Sequence, residues 1–284
     1  MTDDGWQQNS SLVESLLSGF VEKKDDVDPQ YEPMLIANHD GRTMEYAIKD
    51  ELGRSQNFDM SVAFVSQGAL QTLKQNFLDF ADSNDHRSGR IITSTFNYFN
   101  SPKAFAELLK LQQETGIQVR IWQPGQTDET EDTADFPYHP KGYVFHHSDD
   151  DEPLYSTYIG SSNLTINALN SNREWNLRVA TTDTSGLAEQ LTAEINSQIS
   201  ESKPLTDAWL KLYEEDFKRY APPRRPNRRQ TQDAGTITPN AMQVEALMNL
   251  AQLRKQGESR AIIISATGTG KTYPVSYTHL TLPT

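Results

Sequence analysis

The sequence contains no cysteine, which excludes disulfide bonds, thiolate metal sites and a cysteine nucleophile. No apolar run approaches the roughly 18 residues that a membrane span needs. The start of the chain also lacks the basic and apolar segments of a secretory signal. The sequence therefore predicts a soluble cytoplasmic protein with no membrane partner.

Apolar residues and positive charge are both scarce. Hydrophobic residues make up 36% of the 284 positions, below the roughly 45–50% of ordinary globular domains on a similar count, so we expect part of the chain to be linker or incomplete. The net charge of −13 argues against a protein that coats nucleic acid, because binding through counterion release requires a positive face. Any contact with nucleic acid must therefore be local.

The last residues are interpreted as foreign to the protein. Residues 275–284 read VSYTHLTLPT, a string that can be written as the codons of a transposon-based sequencing adapter, and Pro274 can belong to the same adapter. We therefore interpret residues 274–284 as an adapter-derived artefact and expect native sequence to stop at Tyr273, inside a longer reading frame. The alternative is an ordinary short strand tail.

Strand and helix patterns alternate over the first 200 residues. Apolar spacing predicts an amphipathic helix over residues 11–22, within an N-terminal lead-in of residues 1–29. Strand patterns follow at 60–65, 90–94, 116–122, 143–146, 155–160 and 175–180, with helical spacing at 68–80, 102–113 and 187–199. The expected fold class is α/β, a mixed sheet flanked by helices, in a domain of residues 30–200.

The composition changes after residue 200. A helix is expected over residues 205–220, and residues 218–229 contain six Lys or Arg and three Pro. These features predict a helical and basic Pro-rich linker over residues 201–237. The basic segment is either a stiff solvated connector or an arm that meets phosphates.

A phosphate-binding loop is indicated at residues 265–272, which read SATGTGKT and follow an apolar strand pattern. Gly268 and Gly270 let backbone N–H groups converge on phosphate oxygens. Lys271 can reach the β and γ phosphates, and the Thr272 hydroxyl can bind Mg²⁺. The string ATGTGKT resembles motif I of superfamily II helicases and DEAD/DEAH-box ATPases, and Gln243 resembles the adenine-reading glutamine of that family.

This resemblance implies that residues 238–273 are the start of a RecA-like helicase ATP-binding domain, with ATP and Mg²⁺ as cofactors of the intact parent. The residues implied to bind nucleotide are Gln243, Thr267, Gly268, Thr269, Gly270, Lys271 and Thr272, with Thr272 as the Mg²⁺ ligand. The acidic Walker B box and the arginine finger of such a motor are not found in the 284 residues. We therefore expect no competent ATPase from this chain alone.

A second group of polar residues lies between residues 138 and 176. His139 and Lys141 stand two apart, on one face of a strand; Ser161 and Asn163 follow in GSSN, and Glu174 in NREWNL. An imidazole can attack a phosphodiester phosphorus, and a second imidazole can protonate the leaving oxygen without a metal. Lys141, Asn163 and Ser161 would hold the nonbridging oxygens, and Glu174 could fix the tautomer of His139. The plainer interpretation makes them turn, surface or bystander residues.

The joint pattern resembles the phospholipase D superfamily, whose half-site is written H-x-K, four residues, Asp, then G-S-x-N. It is most similar to nuclease-type members fused ahead of superfamily II helicases, over residues 11–180. The resemblance implies a phospholipase D-like domain that cleaves nucleic acid, expected to be DNA, without a cofactor. His146 stands where the family has Asp. The chain has a single H-x-K, and since a complete site needs two, we expect a two-fold homodimer.

Three functional hypotheses follow. The leading one is the N-terminal fragment of a DNA helicase that carries a phospholipase D-like nuclease acting through a phosphohistidine. The alternative is an inactive phospholipase D-like module that dimerises or docks on DNA beside an ATP-dependent motor, which His146 and the acidic loops favour. A lipid-hydrolysing enzyme is disfavoured by the single half-site, the lack of a membrane signal and the phosphate loop.

Overall fold

A computed structural model describes residues 10–82 apart from 24, 26, 29 and 30, and residues 87–123, 138–148 and 153–221, with Leu253 and Gln256. The chain divides into two compact units, Met1–Pro223 and Arg224–Thr284. Every strand and helix bounded below belongs to the first unit. Apart from Leu253 and Gln256, the predicted helicase segment 238–273 lies outside the described residues, as do the tail 274–284 and residues 222–237 of the predicted linker.

One mixed sheet forms the centre of the described part of the chain. Its eight strands are β1 (Met34–Ile36), β2 (Asn57–Val62), β3 (Ser88–Thr93), β4 (Gln118–Trp122), β5 (Lys141–Ser148), β6 (Pro153–Gly160), β7 (Asn176–Thr182) and β8 (Ser202–Pro204). Their order across the sheet is β1-β7-β6-β5-β2-β3-β4-β8. β2, β3 and β4 run parallel, and the other neighbouring pairs are antiparallel.

Helices accompany this sheet along the chain. They are α1 (Ser10–Phe20), α2 (Met44–Arg54), α3 (Gln67–Ala81), α4 (Pro102–Thr115), α5 (Ile166–Asn170), α6 (Gly186–Ser200) and α7 (Asp207–Tyr220), with a 3₁₀ turn at Phe96–Tyr98. Each of α2, α3, α4, α6 and α7 begins after a Ser or Thr whose oxygen accepts the N–H three residues on. Gly116 ends α4 at φ 73°, so it caps a helix and does not open a strand as predicted.

The core has two layers. Apolar side chains of β2 that face one side, such as Phe58 and Met60, pack with α2, α3, α4 and α7 in the larger layer. Ile92 and Val144 face the other side and pack with Ile195 of α6 in a smaller layer. Burial on both faces explains the apolar runs of the central strands. The predicted α/β class, a mixed sheet flanked by helices, is confirmed.

Strand direction brings separate parts of the chain to one edge of the sheet. β2, β3 and β6 point the same way, so their carboxyl ends meet, and the amino ends of β5 and β7 lie at that same edge. We call it the site edge. It carries residues 63–66, 94–100, 138–140, 161–165 and 171–175.

Candidate active site

His139 and Lys141 lie where the chain enters β5. The Ala63 N–H donates to the Pro140 carbonyl at 3.0 Å and joins this segment to the end of β2. Lys141 Nζ lies 2.6 Å from His139 Nδ1 and 3.2 Å from Nε2, and it donates to the His139 carbonyl at 3.0 Å. The two side chains predicted to share a face therefore meet, although His139 precedes the strand.

The electrostatics of this pair favour a neutral imidazole. Burial, and then the Lys141 ammonium, lower the pKa of His139 from its ordinary value. Such a ring is neutral at pH 7 and keeps a lone pair for nucleophilic attack. Burial also lowers the pKa of Lys141, while the charge of Glu174 acts in the opposite direction. Glu174 therefore belongs to the electrostatic environment of the pair.

Asn163 is oriented by the end of β2. The Phe64 N–H donates to Asn163 Oδ1 at 3.3 Å. This bond turns the amide oxygen inward and leaves the Nδ2 hydrogens as donors for an incoming oxygen. The ring of Phe64 also meets the His139 ring edge-on, with centroids 5.5 Å apart. One residue of the β2 end thus contacts both the imidazole and the amide.

Ser161 and Glu174 bond to each other. The Ser161 hydroxyl donates to Glu174 Oε2, and its oxygen accepts the Trp175 N–H at 3.0 Å. Glu174 Oε1 accepts from Asn172 Nδ2 at 3.4 Å. The prediction that Glu174 hydrogen-bonds the far ring nitrogen of His139 is therefore corrected. The Glu174 oxygens accept from Ser161 and Asn172, and the group that lies against the His139 imidazole is the Lys141 ammonium.

Buried side chains that the sequence patterns did not single out hold the GSSN loop. Asn176 Oδ1 accepts the Ser162 N–H at 3.1 Å, and Asn176 Nδ2 donates to Ser162 Oγ at 2.8 Å. The Tyr143 hydroxyl donates to the Ser162 carbonyl at 3.0 Å. All three residues are buried. Asn176 is the last residue of the string NREWN and the first residue of β7. A polar residue at the start of a strand was the only sequence feature that could have pointed to its role in holding the loop.

His146 lies towards the far end of β5. It is five residues beyond Lys141, which along a strand is about 16 Å. Its Nδ1 lies 3.3 Å from Asn57 Nδ2, and its ring packs 4.9 Å from that of Tyr155. His146 therefore contributes no group to the pair at the site edge.

A second polar cluster is centred on the buried carboxylate of Glu51 in α2. Glu51 accepts from Ser156 at 2.6 Å, Tyr158 at 2.7 Å and Arg54 at 3.0 Å, and His147 Nε2 lies 2.7 Å from Oε2. Burial alone would raise the pKa of Glu51, but these hydrogen bonds and the Arg54 charge hold it at about 2. The cluster ties α2 to β5 and β6. Sequence reasoning missed it, because the partners of Glu51 on β5 and β6 lie about a hundred residues further along the chain.

The other sequence-based expectations meet the structure only in part. Gln243 and residues 267–272, the predicted nucleotide-binding residues, lie outside the described residues. Within the described ranges, no group of three or more His, Asp or Glu side chains is placed to hold a metal ion. None of the described helices is long and apolar enough to cross a membrane.

Comparison with protein families identifies the first unit. Residues 55–199 match a family described as "Cardiolipin synthase, PLD-like domain". The match spans just over half of the chain and includes the five predicted residues of the half-site. The chain belongs to the PLD-like family. Residues 236–280 match a second family, "Type III restriction enzyme, res subunit", and this match runs past Tyr273.

Solved structures resemble this chain at low identity. NucT from Helicobacter pylori is 12% identical with a TM-score of 0.44, over 61% of this chain and 98% of NucT. Nuc from Salmonella typhimurium, a phospholipase D family member, is 15% identical with a TM-score of 0.40, over 61% of this chain and 98% of Nuc. Polyphosphate kinase from Porphyromonas gingivalis is 12% identical with a TM-score of 0.42, over 70% of this chain and 32% of the kinase. No curated protein sequence matches the chain.

Proposed function

We propose that the PLD-like domain is a nuclease that cleaves nucleic-acid phosphodiesters, with DNA as the expected polymer, through a phosphohistidine at His139. The observation that carries the proposal is a chain of contacts that links His139, Lys141 and Asn163 at the site edge. Lys141 Nζ lies 2.6 Å from the His139 ring, and Phe64 contacts both that ring and the Asn163 amide. An imidazole, an ammonium and an amide linked in this way suit a phosphoryl group.

The first chemical step follows from these positions. A nonbridging phosphate oxygen takes the Lys141 ammonium away from the imidazole, which frees a ring nitrogen of His139. That nitrogen attacks phosphorus, a P–N bond forms and the bond from phosphorus to the leaving oxygen breaks. Lys141 and Asn163 Nδ2 hold the nonbridging oxygens as negative charge builds. Ser161 was predicted to hold a nonbridging oxygen as well, but its hydroxyl hydrogen is donated to Glu174. We therefore assign Ser161 the role of fixing the loop that carries Asn163.

The reaction needs a second imidazole. It protonates the leaving oxygen and later takes a proton from the water that attacks phosphorus and breaks the P–N bond. Because the chain has one H-x-K, we assign this group to His139 of a second copy in a two-fold dimer.

An exposed apolar row supports the dimer. Leu35, Leu177 and Ile159 are register partners across β1, β7 and β6 and are 52%, 41% and 53% exposed. Trp175, two residues before Leu177, is 72% exposed and contacts Ser161 of the half-site. A contiguous apolar surface beside an incomplete site is typical of an interface. We assign this row to the contact with the second copy.

Cleavage in EDTA tests the proposal. The chain is incubated with labelled single-stranded and duplex DNA, beside its His139→Ala form and a His39→Ala control. We expect metal-free cleavage by the parent and by His39→Ala, and a loss of at least 1,000-fold in His139→Ala. Equal cleavage by the parent and His139→Ala would refute the phosphohistidine route.

The second candidate function is a PLD-like module that docks on DNA or dimerises without chemistry. Its specific support is His146, which replaces the Asp of the family pattern and bonds Asn57 away from the half-site. DNA binding with no cleavage by any form in the same experiment would favour it.

We further propose that residues 238–273, within the matched segment 236–280, begin a helicase-type ATPase joined to this domain. The support is the family match together with the loop SATGTGKT. Thr267 to Thr272 would hold the phosphates, with Thr272 on Mg²⁺, and Gln243 would read adenine. Fluorescent ATP should bind the chain in Mg²⁺ and should bind the Lys271→Ala form at least 10-fold more weakly. Equal binding by both forms would contradict the assignment.

A further inference from the structure

A row of aromatic rings leads outward from the half-site. The Phe64 ring meets the His139 ring with centroids 5.5 Å apart, and the Phe99 ring lies 4.6 Å from the Phe64 ring. Phe64 therefore contacts the imidazole on one side and the Phe99 ring on another. Phe64 is half-buried, whereas Phe99 is 52% exposed. The outer end of the row thus presents a ring to solvent beside the reacting group.

The segment that carries Phe99 is fixed by its neighbour Asn100, which is 1% exposed. Asn100 Nδ2 donates to the Ala63 carbonyl at 3.0 Å and to the Ser94 carbonyl at 2.7 Å, and Asn100 Oδ1 accepts the Val65 N–H at 2.7 Å. These bonds fasten residues 94–100 to the ends of both β2 and β3. The ring of Phe99 is therefore presented by an anchored segment.

The backbone just before Phe99 adopts a costly conformation. Asn97 and Tyr98 have φ of 50° and 53°, in the left-handed region. Non-glycine residues in that region cost on the order of 1 kcal/mol or more each, and they persist where the surroundings force them. Here the surroundings are the Asn100 hydrogen bonds and the packing of the Tyr98 ring on Tyr213 and Phe217. Despite this conformational cost at Asn97 and Tyr98, the segment leaves the Phe99 side chain about half exposed.

The negative charge of the chain makes base stacking on the exposed Phe99 ring important for binding nucleic acid. With a net charge of −13, the chain gains little long-range attraction for polyphosphate. A stacked base supplies about 1–3 kcal/mol without any positive charge, because every base has a flat π face. Bases inside a duplex are already stacked on each other and cannot meet a protein ring unless they leave the helix.

We propose that Phe99 is a stacking platform for the base next to the phosphate at His139, and that the site therefore takes single-stranded nucleic acid in preference to a duplex. The inference rests on the proposed nuclease function for the identity of the ligand. It adds that the site prefers single-stranded over duplex nucleic acid, and that Phe99 sets this preference.

Binding measurements on the whole chain test the platform. The probes are a labelled single-stranded DNA oligonucleotide, the same strand as a duplex, and an oligonucleotide of the same length with abasic sites in place of bases. The variants are Phe99→Ala, Phe99→Trp, which keeps a stacking surface, and Phe20→Ala. Phe20 is 57% exposed on α1, which matches the exposure of Phe99.

We expect Phe99→Ala to raise the Kd for the single strand about 10-fold and to leave the Kd for the abasic strand within 2-fold. Phe99→Trp and Phe20→Ala should bind the single strand and the abasic strand with the same Kd as the parent. The parent should bind the single strand more tightly than the duplex. Unchanged single-strand binding by Phe99→Ala, or equal losses on both strands, would overturn the inference. A fall in oligomeric state on sedimentation of Phe99→Ala would also overturn it, because the ring would then belong to a subunit contact.

The outcomes separate this inference from the proposed function. Base-dependent binding through Phe99 with no cleavage by any form supports the platform and refutes the nuclease. Cleavage that depends on His139 but not on Phe99 supports the nuclease and refutes the platform.

Discussion

The Lys141 ammonium lies 2.6 Å from Nδ1 of His139, so the resting half-site holds its cation against its own imidazole. This contact places a positive charge where it disfavours protonation of the ring. It also marks the position that a phosphate oxygen would take. Binding of a phosphoryl group and release of the imidazole for attack are therefore one event in this account.

The first prediction concerns the titration of His139. Burial and Lys141 both lower its pKa, so its NMR titration should have a midpoint below the ordinary value of about 6.5. The Lys141→Gln form removes the positive charge, and its midpoint should move to higher pH. Lys49→Gln is the control, because Lys49 pairs with Glu45 on α2. Either of two results would contradict the account: a parent midpoint above about 6.5, or equal midpoints in the parent and the Lys141→Gln form.

The pH dependence of cleavage follows from the same lowered pKa of His139. The nucleophile must be neutral and the imidazole that protonates the leaving oxygen must be charged, so the rate should pass through a maximum near the pKa of the His139 pair and fall on both sides of it. Initial rates between pH 5 and pH 8 measure both limbs. An acid limb centred above pH 7 would assign the titration to another group.

The second prediction concerns Gly160, where β6 and β7 meet at the site edge. A Cβ at this position would collide with the Trp175 carbonyl oxygen and would lie 2.6 Å from Asn176 Cα. Gly160→Ala should therefore push the strands apart and break the bond from the Ser161 N–H to the Trp175 carbonyl. We expect a loss of about 1–3 kcal/mol in the free energy of unfolding and at least a 10-fold loss of cleavage.

Gly142 offers the matched control for Gly160. It lies on β5 directly opposite Ile159, and a Cβ there has nothing within 4 Å. Gly142→Ala should cut and unfold like the parent. Similar losses in both variants would show that the close approach at Gly160 is unimportant.

The third prediction concerns the stability supplied by Glu51. Glu51→Ala leaves His147, Ser156 and Tyr158 without their buried acceptor and should cost about 3–5 kcal/mol in urea unfolding at pH 7. Asp50→Ala is the neighbouring control; the Asp50 side chain is 52% exposed, and the change should cost under about 1 kcal/mol.

The pH dependence of that difference has a definite sign. The folded pKa of Glu51 is about 2, below its ordinary 4.5, so its contribution is complete above pH 4.5 and is lost as the pH falls towards 2. The gap between parent and Glu51→Ala should therefore narrow from pH 7 to pH 3. A gap that widens on acidification would contradict a depressed pKa.

The fourth prediction concerns the apolar row of Leu35, Leu177, Ile159 and Trp175. Leu177→Glu places a charge at the centre of the row and should convert the dimer to a monomer in sedimentation. Metal-free cleavage should fall with dimer content, because each site would lose its second imidazole. Leu212→Glu, at another exposed leucine (65%) on α7, is the control and should stay dimeric. A monomeric Leu177→Glu that cuts at the parental rate would refute the shared site.

Local patterns predicted the central strands. The half-site residues were proposed from the family resemblance of H-x-K and GSSN, two short strings that lie at strand ends, and they remain a prediction. They did not predict α2, whose buried Glu51 reads as an exposed polar residue until its partners on β5 and β6 are known. The hydrogen-bond partner of Glu174 could not be predicted either, because spacing along the chain does not show whether a carboxylate contacts an imidazole or a serine. Asn100 and Phe99 gave no signal, because their roles depend on contacts with the end of β2.

The most direct test of the central claim is to trap the covalent intermediate. The chain is mixed with labelled DNA in EDTA, quenched under alkaline conditions that preserve phosphohistidine, and digested for mass spectrometry. The account predicts a nucleotidyl phosphate on the peptide that contains His139, which forms and decays at the rate of turnover and is absent from His139→Ala. An adduct on a different residue, or cleavage by His139→Ala at the parental rate, would contradict it.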